Sequence, residues 1–159
     1  MPTAYIETTI PSYYSSRPAR DVVQITRQAA TRQWWDQGCS GFQLYTSQEV
    51  IDEAGRGDRE QASKRLEMLA KIPVLEFNAE VENLARRLIS VGLVPASVAS
   101  DAVHIATACV HGVDFLVTWN FKHIANPLIR QRLRQEVALT GYVLPVLCTP
   151  EELLNDEDD

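Results

Sequence analysis

Apolar and polar positions alternate along the chain so as to mark short buried runs and longer amphipathic ones. Residues 4–7 read as a short buried strand that Glu7 closes, and Pro11 soon afterwards forces a turn or a helix start. From Asp21 to about Gln37, Val22, Ile25, Ala29, Ala30 and Trp34 recur at helical spacing, and Gly38 supplies a stop. Residues 42–46 have β character and lead into Ser47, an N-cap for a helix carrying Val50, Ile51 and Ala54 that ends near Gly55. Residues 58–71 predict another helix, with Ala62, Leu66, Leu69 and Ala70 on one side, and residues 73–77 a short strand. Asn78 caps the next helix, whose Val81, Leu84, Ala85, Leu88 and Ile89 follow the i, i+3, i+4, i+7, i+8 rule as far as Gly92.

The second half continues the alternation. After a linker containing Pro95, Ser100 is placed to cap the apolar run AVHIATACV, which stops at Gly112. Residues 115–118 predict a strand, Asn126-Pro127 a helix start, and residues 143–148 a last strand edged by Pro145. Thr149, Pro150 and Glu152 have the spacing of a capping box. Strands alternating with helices imply a mostly parallel sheet covered on both faces. No repeat or internal boundary interrupts the pattern, so residues 1–154 read as one domain and residues 155–159 as a disordered acidic tail.

Composition adds little until charge is located. The chain has 159 residues with 45% hydrophobic and 23% charged content, ordinary for a globular domain. Its apolar stretches are too short to span a membrane, and the N-terminus lacks the basic and apolar regions of a secretory signal, so a cytoplasmic location is expected. Cys39, Cys109 and Cys148 are odd in number and far apart, which indicates neither disulfides nor a zinc site. The net charge of −6 disfavours a polyanionic partner until the terminal segment EELLNDEDD is set aside. Six of the 21 acids lie there, and the remainder equals the 15 Lys and Arg. Arg17, Arg20, Arg27 and Arg32, and separately Arg130, Arg132 and Arg134, could assemble a phosphate-binding surface, although such groups usually only solvate a face.

Chemistry is suggested by four polar residues at predicted strand or helix ends: Glu7, Glu53, Asp101 and Asn120. In open α/β sheets such ends meet in one crevice, and three carboxylates with an amide would suit a hard divalent cation. Each residue also has a plain structural explanation. Asp101 gains from the helix macrodipole, Asn120 suits a turn, and Glu7 and Glu53 are ordinary acids if they face water. His104, one turn beyond Asp101 and on its side of the helix, is expected to pack or hydrogen-bond rather than to ligate. No phosphate-cradling glycine loop, HExxH or GxSxG occurs.

Taken in order, YIETTIPSYY, SQEVIDEAGRGD, SDAVHIATACVHGVDFLVTWNFKHIAN and TPEELL resemble the PIN-domain family, in its VapC-like branch, over nearly the whole chain. The segment from Asp101 to Asn126 is the most specific part. The resemblance implies a PIN-like three-layer α/β/α sandwich with a mostly parallel central sheet. It further implies a Mg²⁺- or Mn²⁺-dependent endoribonuclease of the toxin type, a homodimer with RNA as substrate and a cognate antitoxin as partner. Glu7, Glu53, Asp101 and Asn120 fall at the family's four catalytic positions, with Glu7, Asp101 and Asn120 as metal ligands and Thr9 and Thr118 as small polar residues beside the metal. Two positions depart from the pattern: the first acid is usually Asp, and the fourth is often acidic. Glu7 has a longer arm, so its carboxylate must fold back or the metal must move outward, and Asn120 offers a neutral carbonyl. Two other classes remain open: a PIN domain without catalysis that binds RNA or protein, and a doubly wound hydrolase of small phosphorylated molecules.

Overall fold

In the computed structural model, which describes residues 1–154, the predicted alternation resolves into a five-stranded sheet. The strands are β1 (Thr3–Ile6), β2 (Gln43–Ser47), β3 (Val74–Leu75), β4 (Phe115–Val117) and β5 (Val146–Cys148). Their order is β3-β2-β1-β4-β5, and every pairing is parallel. Seven α-helices are found among the described residues: α1 (Thr9–Ser15), α2 (Val22–Gln33), α3 (Gln48–Ala54), α4 (Arg59–Leu69), α5 (Ala79–Ser90), α6 (Ala99–Val110) and α7 (Pro127–Leu139). Among the described residues no helix is long and apolar enough to cross a membrane.

The period-two geometry of strands builds two cores, one on each face of the sheet. Ala4 and Ile6 of β1, Val117 and Cys148 point to one side, where Ile10 of α1, Ala30 of α2 and Trp34 cover them. Tyr5, Leu116 and Leu147 point to the other, against apolar residues of α3, α5, α6 and α7. The result is the expected α/β/α layering, with the sheet wholly parallel rather than mostly so.

Several local expectations are met at the atomic level. Ser47, Asn78 and Asn126 accept hydrogen bonds from the backbone N–H of Val50, Val81 and Leu128, capping α3, α5 and α7. Thr149 and Glu152 bond each other's backbone N–H, completing the capping box. Gly92 and Gly112 take φ of +79° and +67° just past α5 and α6, conformations that cost a residue with a Cβ.

Others are corrected. Ser100 does not cap α6: a 3₁₀ turn at Ala96–Val98 feeds straight into the helix, which begins at Ala99 and leaves Ser100 in its first turn. The apolar stripe of α2 is misplaced at its start, because Val22, Ile25 and Ala29 are exposed while Gln28, Ala30, Thr31 and Trp34 are buried. Leu66 and Ala70 are likewise exposed. The third strand shrinks to two residues, with Phe77 exposed, and β5 starts only after Pro145, which lacks the N–H a ladder needs. The expected tail, 155–159, lies outside the described residues.

Candidate functional site

Strand order determines where a site can form. The chain leaves β1 toward β2 and β3 on one side, then returns to lay β4 and β5 on the other. This is a topological switch point, and ligands of open α/β sheets bind beyond the carboxyl ends of the strands there. Glu7 is the first residue after β1, and Thr118, Trp119 and Asn120 are the first three after β4.

Glu7 is buried at 4% exposure. Its Oε1 accepts from Thr9 Oγ1 at 2.5 Å, from the Thr9 backbone N–H at 3.2 Å and from Thr118 Oγ1 at 2.6 Å. Among the described residues no hydrogen bond reaches Oε2. Burial pushes the Glu7 carboxyl up from its ordinary value, against the pull of His104 and of the two threonines. Thr9 and Thr118 therefore hold the acid, and Thr9 Oγ1 also accepts from the Trp119 N–H at 2.9 Å, tying the exits of β1 and β4 together.

Glu53 projects from the last turn of α3, where the helix dipole disfavours an anion. Its Oε1 accepts from Thr8 Oγ1 at 2.7 Å and bonds His104 Nε2 at 2.6 Å, and its Oε2 accepts from Ser100 Oγ at 3.4 Å. Burial raises the Glu53 carboxyl, but the hydrogen bond and charge of His104, with Thr8 and Ser100, outweigh it and hold the group below its ordinary value.

His104, on α6, is completely buried and has both ring nitrogens engaged. Nδ1 lies 2.7 Å from Tyr5 Oη, which in turn lies 2.6 Å from Ser47 Oγ. A neutral imidazole satisfies the whole series: Ser47 donates to Tyr5, Tyr5 to Nδ1, and Nε2–H to Glu53. Burial lowers the histidine's affinity for a proton, yet the Glu53 bond and the charges of Glu7, Glu53 and Asp101 raise it above the ordinary value overall. The expected hydrogen-bonding role of His104 is what the structure contains.

Asp101 lies in the first turn of α6, nearly buried. Burial raises its carboxyl, partly offset by the Asn120 amide and by the charges of His104 and His123. The Asn120 carbonyl, the atom expected to face an ion, accepts instead from the His123 N–H at 3.1 Å. Glu7, Glu53 and His104 each bring one ligand-type atom within 4.8 Å of the others, and Asp101 stands outside that trio. Tyr5, Ser47, Thr8 and His123 were not anticipated as neighbours. Tyr5 reads in sequence only as a buried strand residue, and a lone hydroxyl in a strand carries no local signal.

The donor set fits a hard divalent cation. Two carboxylates, Glu7 and Glu53, gather with His104 at one sheet edge and Asp101 stands nearby; among the described residues no thiol joins them and no Arg or Lys lies within 4.0 Å of these acids. Mg²⁺ keeps several waters and takes only one or two carboxylates directly, so Asp101 need not close onto the trio.

No protein-family model matches the chain, and no curated protein matches its sequence. Among solved structures, it is similar in fold to a chain of VapBC2 from Rickettsia felis, crystallised bound to a DNA fragment from their promoter. The TM-score is 0.56 at 15% identity, over 92% of this chain and 98% of that one. A likeness at that identity speaks for the fold, and the α/β architecture implied by the PIN resemblance is the one this chain adopts.

Proposed function

We propose that the chain is a divalent-metal-dependent endoribonuclease of the toxin type, with the crevice at the ends of β1 and β4 as its active site. One observation carries this reading: the carboxylates of Glu7 and Glu53 converge with His104 at the switch point, Asp101 stands beside them, and among the described residues no Arg or Lys pairs with any of the three acids. Buried like charges are costly, and a site that keeps them without a partner suits a cation. Glu7 and Asp101 would hold the ion, with Glu7 presenting Oε2 while its threonines hold Oε1. When bound, Mg²⁺ or Mn²⁺ neutralises the phosphate under attack and acidifies a water. Glu53, kept ionised by His104, orients that water and accepts its proton. Asn120 acts through Asp101, whose carboxylate it steadies.

The VapBC2 fold neighbour supports an antitoxin partner as a further part of this reading, and the resemblance to VapC-like proteins adds a homodimer to it. The test is cleavage of single-stranded RNA by the purified chain. Cutting should need Mg²⁺ or Mn²⁺, stop with EDTA, and fall by about 10²-fold or more in Glu53→Gln. Cleavage that survives EDTA would remove the proposal.

A further inference from the structure

Beside the acids, the rim of the crevice has a different chemistry. Trp119 is fixed on two sides: its Nε1–H donates to Thr31 Oγ1 at 2.8 Å, and its backbone N–H to the Thr9 hydroxyl that also holds Glu7. Its ring meets Tyr13 at 5.9 Å and Phe121 at 6.1 Å between centroids, the second contact edge-on at 71°. Arg27, from α2, lies over both indole and phenyl, its guanidinium carbon 5.6 Å from the Trp119 centroid and 5.2 Å from that of Phe121. One of its N–H groups donates to Tyr13 Oη at 3.2 Å, and among the described residues no carboxylate stands within 4.0 Å. Packing explains Trp119, which is 5% exposed, but not Phe121, which follows Asn120 directly and remains 43% exposed.

We propose that Phe121, backed by Arg27 and Trp119, is a stacking platform for one nucleobase of a single-stranded RNA entering the acidic crevice. The inference rests on reading that crevice as an RNA site and names the class of RNA it takes. An exposed aromatic face polarised by a guanidinium is the surface on which an unpaired base stacks, and the guanidinium's free N–H groups can meet a phosphate. A cluster of acids alone repels a polyanion, so a cationic rim is required for approach. Arg17, Arg20 and Arg32 are exposed on the α1–α2 segment around Arg27, and Lys122 adjoins Phe121. Duplex RNA keeps its base faces stacked inside, so it cannot use such a platform.

The experiment measures anisotropy of fluorescein-labelled oligouridine, and of a blunt RNA duplex of equal length, with the full chain in EDTA, where binding is separated from cutting. The single strand should bind tighter than the duplex. Phe121→Ala and Phe121→Leu should each weaken it by about 5- to 150-fold, the range for one stacked base, while Phe121→Trp retains it. The leucine variant keeps apolar bulk, so its loss isolates stacking from folding. Arg27→Gln should weaken binding and lower the salt slope by about 0.7. Equal binding of strand and duplex, unchanged affinity in both Phe121→Ala and Phe121→Leu, or a change of oligomeric state in those variants with RNA affinity intact would overturn the proposal, the last by marking a protein interface. If Phe121-dependent binding persists but no metal supports cleavage, the nuclease reading fails and the platform stands. Cleavage with a KM unaltered by Phe121→Ala gives the reverse.

Discussion

Tyr5 illustrates how much of this site hangs on one buried atom. Its hydroxyl bridges His104 and Ser47 in a region of zero exposure, so Tyr5→Phe leaves a ring nitrogen without a partner while preserving shape. Urea unfolding of the metal-free protein should show a loss of about 1–3 kcal/mol. The Glu53–His104 pair makes a pH prediction with two signs. Glu53 is held below its ordinary value of 4.5, so its contribution is complete above that and fades as pH falls through its folded pKa. His104 is raised above 6.5, so its contribution is complete below that and fades as pH rises through its folded pKa. The pair therefore stabilises most between about 4.5 and 6.5, and Glu53→Gln should lower that plateau and flatten the losses of stability below about 4.5 and above about 6.5. An unchanged profile would mean that the pair carries no linkage. Beyond a hydrogen-bonding His104, none of these partners was legible in the sequence. Glu7, Glu53, Asp101 and Asn120 were recognisable as candidates, but Tyr5 sits in a run whose pattern reports burial alone, and Ser47 reads only as a helix cap.

At the level of elements, legibility followed packing. α5 buries the stripe that its periodicity announced, because it packs along α6 and against α7, whereas α2 is anchored by its C-terminal half only. There Thr31 bonds Trp119, Gln28 reaches the carbonyls of Ser16 and Arg17, and Trp34 fills the core, so two polar residues take buried places that a hydrophobicity pattern cannot assign. Val22 and Ile25 are then left exposed among the described residues. Leu88→Ala should accordingly cost about 2–5 kcal/mol by chemical denaturation, and Val22→Ala less than about 0.5 kcal/mol. Similar losses in both would show that the first turn of α2 is packed after all. The start of α6 was misread for a related reason: Ser100 has the right residue type for a cap, but its hydroxyl is drawn to Glu53 and the preceding 3₁₀ turn takes over the helix entry.

The whole molecule turns on where its sheet reverses direction of growth. Short strands and parallel order bring Glu7 and Asn120, 113 positions apart in a chain of 159, to the same edge, and α3 and α6 lean Glu53 and Asp101 toward it. Alternation of elements announced the layers, and the PIN resemblance offered candidates for the ends that form a site; the strand order itself carries no local signature. Asn120→Asp probes the edge as a unit. A carboxylate beside Asp101 adds repulsion, so the metal-free variant should lose stability, while the added charge should tighten Mn²⁺ binding by calorimetry. Unchanged affinity would separate position 120 from the ion.

Titration of Mn²⁺ into the chain, with thermal unfolding followed alongside, tests the central claim most directly. Glu7 and Asp101 are both raised by burial, so each carboxylate costs the metal-free fold stability at neutral pH, and a cation should relieve that cost. The wild-type chain should bind Mn²⁺ with a rise in Tm, and Asp101→Asn and Glu7→Gln should each lose the binding while unfolding no earlier than the metal-free wild type. Undiminished Mn²⁺ affinity in both variants, or no binding by the wild-type chain, would contradict the assignment of this crevice as a metal site.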